Sequence, residues 1–117
     1  MRMARIRVGV IGLGIGGKHV EAYLQHPGCE VFVLCDLDEN KLSHARERCP
    51  SARLTTDADE ILTNPEIHLV SIASFDNFHC EQVVKGIRNG KHIFVEKPLC
   101  LHRHEAVEIR EALDRMW

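Results

Sequence analysis

The sequence has no long apolar run, no excess of either charge, no paired-cysteine motif and no low-complexity stretch, and each absence narrows its function. No apolar run approaches the roughly 18–20 residues needed to cross a bilayer, which excludes a membrane-spanning helix. The 15 Lys and Arg stand against 17 Asp and Glu, a formal net charge of -2. Without a basic excess there is no electrostatic footprint for nucleic acid. Met1 to Arg7 is basic but passes straight into a short apolar stretch, without the longer apolar core and small-residue cleavage site of a secretory leader. Cys29, Cys35, Cys49, Cys80 and Cys100 are odd in number and form no C-x-x-C pair. That pattern predicts reduced, mostly buried thiols in a cytosolic, cytoplasmic protein rather than a disulfide framework. Eight histidines are many for 117 residues. Yet His102 and His104, which straddle Arg103, have no cysteine or carboxylate at a zinc-like spacing, so no metal site is expected.

What the sequence does contain is alternation. Ile6 to Ile11 is short, apolar and β-branched, and reads as a buried strand. From about Gly16 to His26, Val20, Tyr23 and Leu24 share a helical face, broken by Pro27-Gly28. Glu30 to Cys35 reads as a second strand. Asp38 then caps a helix with the stripe Leu42, Ala45 and Cys49 ahead of Pro50. Ala52 to Thr56 is a candidate third strand, and Asp57 a cap for a short helix ending near Asn64-Pro65. Ile67 to Ala73 reads as a fourth strand. Cys80, Val83, Val84 and Ile87 fall at i, i+3, i+4 and i+7, a helix face that Asn89-Gly90 stops. His92 to Val95 is a fifth strand. Ala106, Ile109, Leu113 and Met116 mark a last helix that runs to the end.

This alternation predicts an α/β fold, a Rossmann-type doubly wound parallel sheet with right-handed crossovers. Residues 1–117 suit one domain. No sixth strand follows the last helix, so the expectation is a fragment of something larger.

The first strand runs into Gly12-Leu13-Gly14-Ile15-Gly16-Gly17, a match to G-x-G-x-x-G that opens the first helix. Gly12 would permit the tight turn, Gly14 the close approach of backbone to a pyrophosphate, and Gly17 the close packing of helix on strand. The helix start offers free N–H groups and a positive dipole end to phosphates. No Gly-Lys-Ser/Thr closes the motif, so it is not a P-loop. Asp36 ends the second strand, 19 residues beyond Gly17, close to the roughly 20 expected of an acid that binds the adenosine ribose. A carboxylate there repels a 2′-phosphate, which selects NAD over NADP. Asp38 is the competing acid, but helix capping accounts for it. The plain structural alternative is a tight βα turn beside a surface acid.

Phe94-Val95-Glu96-Lys97-Pro98 ends the fifth strand, on the sheet edge where ligands of open α/β folds bind. A lysine there can donate to a substrate hydroxyl or carbonyl and help move its proton. Pro98 restricts Lys97 to extended backbone and is a candidate cis proline. Chemistry alone equally allows a solvated Glu-Lys pair.

From about Arg5 onward the sequence resembles the glucose-fructose oxidoreductase / inositol dehydrogenase (Gfo/Idh/MocA) family. The resemblance rests on Val8-Gly9-Val10-Ile11-Gly12-Leu13-Gly14 with His19, on Val70-Ser71-Ile72-Ala73, on His79, and above all on Gly90-Lys91-His92-Ile93-Phe94-Val95-Glu96-Lys97-Pro98-Leu99. It implies that Lys97 is the catalytic residue for proton transfer or substrate polarisation and that Glu96 contacts the nicotinamide ribose. Family members often carry Thr-Pro-Asn after the fourth strand, against the cofactor, where this chain has Ser74-Phe75-Asp76. Ser74 is a mild change, whereas Phe75 and Asp76 depart from the pattern; Phe75 is expected either to pack, as an aromatic after a strand more often does, or to lie against the cofactor. His79 is expected to hold a loop rather than to catalyse. The glycine turn residues Gly12, Leu13, Gly14, Ile15, Gly16 and Gly17, with Asp36, Ser74, Phe75, Glu96 and Lys97, form the expected NAD site.

The resemblance further implies a second domain that carries the substrate pocket and usually the oligomer interface, and a parent that is a homo-oligomer. The implied reaction is hydride transfer between NAD and a hydroxyl-bearing carbon of a sugar, cyclitol or similar polyol. The fragment itself is expected to bind NAD(H) and turn nothing over. The alternative is a non-catalytic NAD-sensing regulatory module, and a bare Rossmann domain with an empty turn is a third reading. Lys97 within Glu-Lys-Pro favours the enzyme.

Overall fold

In a computed structural model the described residues are 4–117; the first three residues of the basic Met1–Arg7 stretch lie outside them. Five strands, β1 (Ile6–Ile11), β2 (Cys29–Cys35), β3 (Arg53–Thr55), β4 (Leu69–Ile72) and β5 (His92–Val95), alternate with helices. The helices are α1 (Gly16–Gln25), α2 (Glu39–Arg48), α3 (Asp59–Leu62), α4 (His79–Arg88) and α5 (Arg103–Met116), with a 3-10 turn at Asp76–Phe78 ahead of α4. The sheet order is β3-β2-β1-β4-β5 and every pairing is parallel. The doubly wound Rossmann architecture predicted from the alternation is therefore present. The chain leaves β1 toward β2 on one side and returns to β4 on the other. This reversal opens a crevice at the carboxyl ends of β1 and β4, where such sheets bind ligands.

Two apolar layers cover the two faces. Val8 and Val10 of β1 pack with Val31 and Leu34 of β2, Val20 of α1, Cys49 and Ala52. Ile11 faces the other way, with Val33, Val70 and Ile72 against Ile61, Leu62, Val83, Val84, Ile87 and Ile109. Alternation along β1 and β4, and along β2 on either side of the register shift opposite Val8–Gly9, assigns α1 and α2 to one face and α3, α4 and α5 to the other. The stripe Cys80, Val83, Val84 and Ile87 is fully buried, as its spacing predicted. Asp38 caps α2 by accepting from the Asn40 N–H at 2.8 Å. Asp57 accepts from the Asp59 N–H at 2.9 Å at the start of α3.

Two readings are corrected. On α1, Leu24 is half exposed rather than on the buried face. On α5, Ile109 and Ala112 are buried while Leu113 and Met116 are 42% and 43% exposed, because the helix rests on α4 along the Ile109–Ala112 row. His102 and His104 stack on each other, and His102 begins α5 in a capping box with Glu105. The Glu105 carboxylate accepts from the Leu101 and His102 N–H groups, and these bonds, Leu101's first, lower its pKa.

All five cysteines are free; Cys35, Cys49 and Cys80 are buried, Cys29 and Cys100 partly so. Burial, reinforced by Asp36, Asp57 and Glu60, pushes the Cys35 thiol up to about 12. Burial and a hydrogen bond to Glu108 push Cys80 to about 11. Thiolates are the reactive species. In the folded chain at pH 8, a chromogenic disulfide reagent is expected to label Cys29 and Cys100 promptly and the other three only on unfolding. Prompt labelling of three or more thiols would contradict this packing.

Candidate functional site

The turn after β1 is fixed by close approach. Gly12 has φ +90, and its N–H donates to the Cys35 carbonyl at 2.8 Å. A Cβ at Gly12 would lie 2.4 Å from the Ala73 carbonyl oxygen and 2.7 Å from the Ser74 nitrogen. The turn therefore presses directly on the main chain that leaves β4, and only glycine fits. At Gly14 the nearest atom a Cβ would meet is Lys41 Nζ, at 3.8 Å, so the backbone is open on that side. Gly16, not Gly17, makes the tight helix–strand contact. Its Cβ would meet Val10 Cγ1 at 3.2 Å and Ala73 Cβ at 3.3 Å, whereas nothing lies within 4 Å of a Cβ at Gly17. The packing role read from the third glycine of the motif belongs one residue earlier, because Gly16 is the first helical residue and faces β1 and β4.

The amides of this turn divide into two sets. Leu13 N–H donates to Asp36 Oδ2 at 2.8 Å. The N–H groups of Gly14 and Ile15 have no acceptor among the described residues. The start of α1 has no capping side chain and no acid in its first turn, whereas α2 has both Asp38 and Glu39. An uncapped helix start with free amides favours an anion, through unsatisfied donors and the helix dipole.

Asp36 is half-buried at the end of β2. Its Oδ1 accepts from the Asp38 N–H at 2.8 Å, so each oxygen spends one lone pair on the backbone and keeps capacity for a hydroxyl donor. A single cleft is lined by Gly12, Leu13, Gly14, Asp36, Ser74 and Phe75. These residues come from the ends of β1, β2 and β4, and the fold brings them together at one edge of the sheet. Leu37, Lys41, Thr56, Ala58 and Phe78 line the same cleft and were not singled out from the sequence. Leu37 follows the acid and is 67% exposed, a large apolar side chain held in solvent, as is Phe75 at 68%. Phe78 leans on Phe75 with ring centroids 6.4 Å apart. The Ser74 hydroxyl is engaged with Gln82 Oε1 at 2.6 Å, which fixes the loop. Ile15, Gly16 and Gly17 do not line the cleft.

Glu96 and Lys97 lie outside it, beyond the end of β5 on the far side of β4, so the two halves of the candidate site sit to either side of the phosphate turn. Glu96 N–H continues the sheet to the Ile72 carbonyl at 2.9 Å. Lys97 is exposed, and the Lys97–Pro98 bond is cis. Buried His79 bridges the two loops: one ring nitrogen is 2.6 Å from the Pro98 carbonyl oxygen and the other 2.9 Å from that of Ser74. That is the loop-holding role its position suggested. His19 Nε2 meets Glu96 Oε2 at 2.8 Å, a contact between α1 and β5 that no local pattern reveals.

The donor set fits a dinucleotide: free amides at an uncapped helix start, an open backbone at Gly14 and a carboxylate with spare acceptor capacity at the neighbouring strand end. Comparison with known proteins agrees. Residues 6–116 match the family described as "Oxidoreductase family, NAD-binding Rossmann fold", Gfo/Idh/MocA. A myo-inositol 2-dehydrogenase of Thermotoga maritima is 33% identical over 98 residues, covering 83% of this chain and 29% of that protein. An alpha-N-acetylgalactosaminidase of Shewanella oneidensis is 30% identical, covering 97% of this chain and 27% of that protein. The crystal structure of the WlbA dehydrogenase from Chromobacterium violaceum, in complex with NADH and UDP-GlcNAcA, superposes with a TM-score of 0.88 at 25% identity, covering 99% of this chain and 34% of that one. The chain thus spans between a quarter and a third of the length of the curated relatives it matches.

The turn geometry gives a paired expectation. Gly12→Ala should destabilise the fold by about 2–4 kcal/mol, through a backbone clash and a strained φ. Gly17→Ala should be neutral or stabilise by up to about 1 kcal/mol. Urea unfolding checks both, and equal midpoints for the two variants would contradict the close approach at Gly12.

Proposed function

The chain belongs to the Gfo/Idh/MocA oxidoreductase family by its NAD-binding Rossmann fold, and from that premise we propose that it is the cofactor-holding half of an NAD-dependent dehydrogenase. The substrate class is a sugar, cyclitol or similar polyol, oxidised or reduced at a hydroxyl-bearing carbon. The relatives named for inositol, N-acetylgalactosamine and UDP-GlcNAcA chemistry support this class. The observation that carries the reading is Asp36, held by two backbone amides beside the glycine turn with acceptor capacity to spare.

In this reading the Gly14 and Ile15 amides and the start of α1 take the pyrophosphate, while Asp36 takes the hydroxyls of the adenosine ribose. Leu37, Phe75 and Phe78 give the adenine an apolar bed, and Ser74 shapes the loop. Glu96 accepts from the nicotinamide ribose. Bound NAD supplies the two-electron carrier. Lys97 hydrogen-bonds the reacting oxygen of the substrate and exchanges its proton. The substrate pocket and the interface of a homo-oligomer are assigned to a second domain, in keeping with the greater length of the relatives. Alone, the chain binds NAD(H) without turnover. The free thiols fit a reducing, cytoplasmic compartment.

Titration calorimetry tests this directly. NADH should bind at least about tenfold tighter than NADPH, roughly 1.4 kcal/mol, because Asp36 repels a 2′-phosphate; equal affinities would remove Asp36 from the ribose site. Gly14→Val should abolish NADH binding with the unfolding midpoint unchanged, and retained affinity would remove the turn from the phosphate site. In a longer form that turns over substrate, Lys97→Ala should lower kcat by about 10²–10⁴-fold with NADH affinity nearly unaltered. Full turnover would exclude Lys97 from the chemistry.

A further inference from the structure

His19 stands in the first turn of α1, the helix whose start carries the free amides, and its ring reaches across to the end of β5. Its Nε2 lies 2.8 Å from Glu96 Oε2. The His19 side chain is 12% exposed, and the ring meets Phe94 edge-on, with centroids 5.1 Å apart and planes at 87°. The second ring nitrogen, Nδ1, is buried and has no hydrogen-bond partner among the described residues. A carboxylate oxygen only accepts, so Nε2 carries the hydrogen of this pair. Glu96 is then the hydrogen-bond partner of the ring among the described residues.

We propose that His19 is a positioning residue for Glu96, fixing which carboxylate oxygen is left for the nicotinamide ribose; this rests on the assignment of Glu96 made above. Glu96 is held twice. Its N–H is tied to the Ile72 carbonyl at 2.9 Å, and its Oε2 is tied to His19. Its side chain is 33% exposed. With Oε2 occupied, Oε1 is the oxygen that accepts from a ribose hydroxyl. Because His19 is seated on α1, the same helix that presents the phosphate donors also sets the far end of the cofactor site. The rigid spacing between the two ends is a pre-organisation of the nicotinamide half. Its loss should be felt by ligands that carry that half and by no others.

The experiment compares NADH with ADP, which shares the adenosine and diphosphate but lacks the nicotinamide ribose. His19→Leu should weaken NADH binding about tenfold, as expected for a lost charge-assisted hydrogen bond, and change ADP affinity by less than about twofold. His19→Gln, whose amide still donates, should keep NADH within about threefold of the unaltered chain. Combined with Glu96→Ala, His19→Leu should add no further loss, since its effect runs through that carboxylate. An unchanged NADH affinity in His19→Leu, or equal losses for NADH and ADP, would overturn the proposal. Imidazole ¹⁵N shifts of the unaltered chain test it without substitution: hydrogen on Nε2 with a bare Nδ1 supports it, and hydrogen on Nδ1 alone overturns it. A chain that binds neither nucleotide would instead overturn the reading of the site beneath it.

Discussion

The Asp36 carboxylate accepts from Leu13 on one oxygen and from Asp38 on the other, and the layout of the sheet's carboxyl edge follows from that pair. The first bond binds the glycine turn to the end of β2, and the second starts the turn into α2. Gly12 N–H reinforces the same junction through the Cys35 carbonyl. Beyond Leu13, the Gly14 and Ile15 amides have no acceptor among the described residues. A hydrogen bond to a charged acceptor contributes more than a neutral one. The acid that would read the ribose therefore also builds the turn that would hold the phosphates. On the opposite side the turn is clamped by the main chain at Ala73 and Ser74, and that loop is tied by His79 to Pro98. The cofactor edge is a chain of short backbone-level contacts running from β2 to β5.

Much of this was legible in the sequence. The strands Ile6–Ile11 and His92–Val95 and the α4 stripe were readable because period-2 and period-3.6 patterns are local. The glycine turn and Asp36 were readable because their spacing within one βαβ unit is set by element lengths. The tight contact at Gly16 was misassigned to Gly17, since a motif gives glycine positions but not which of them faces the sheet. Leu113 and Met116 keep helical spacing with Ile109, yet the packing row on α4 selects Ala112. Lys91 was visible only within a recognisable run. Folded, it is a buried tether whose ammonium donates to the Asn64 and Ile67 carbonyls, with its pKa lowered by that burial. Such a contact joins residues more than twenty apart and leaves no periodic trace. The His19–Glu96 pair, 77 residues apart, is hidden for the same reason.

A similar domain accompanies a myo-inositol 2-dehydrogenase in one relative and an alpha-N-acetylgalactosaminidase in another. Within this chain, the residues that line the cleft are those proposed to hold the cofactor; Lys97 lies outside the cleft and is exposed. The division is chemically sensible. Nucleotide recognition needs rigid backbone at a sheet edge, while the choice of substrate needs an adaptable pocket. In this account α1 links the two by carrying free amides at its start and His19 one turn later.

The central claim is that the Gly14 and Ile15 amides, unpaired at the uncapped start of α1, receive the diphosphate. Amide ¹H–¹⁵N spectra of the chain during an NADH titration test it most directly. The account predicts that Gly14 and Ile15 show the largest shifts and become the most protected from exchange, with Leu13 retaining its bond to Asp36. Binding that leaves both amides unshifted would contradict it.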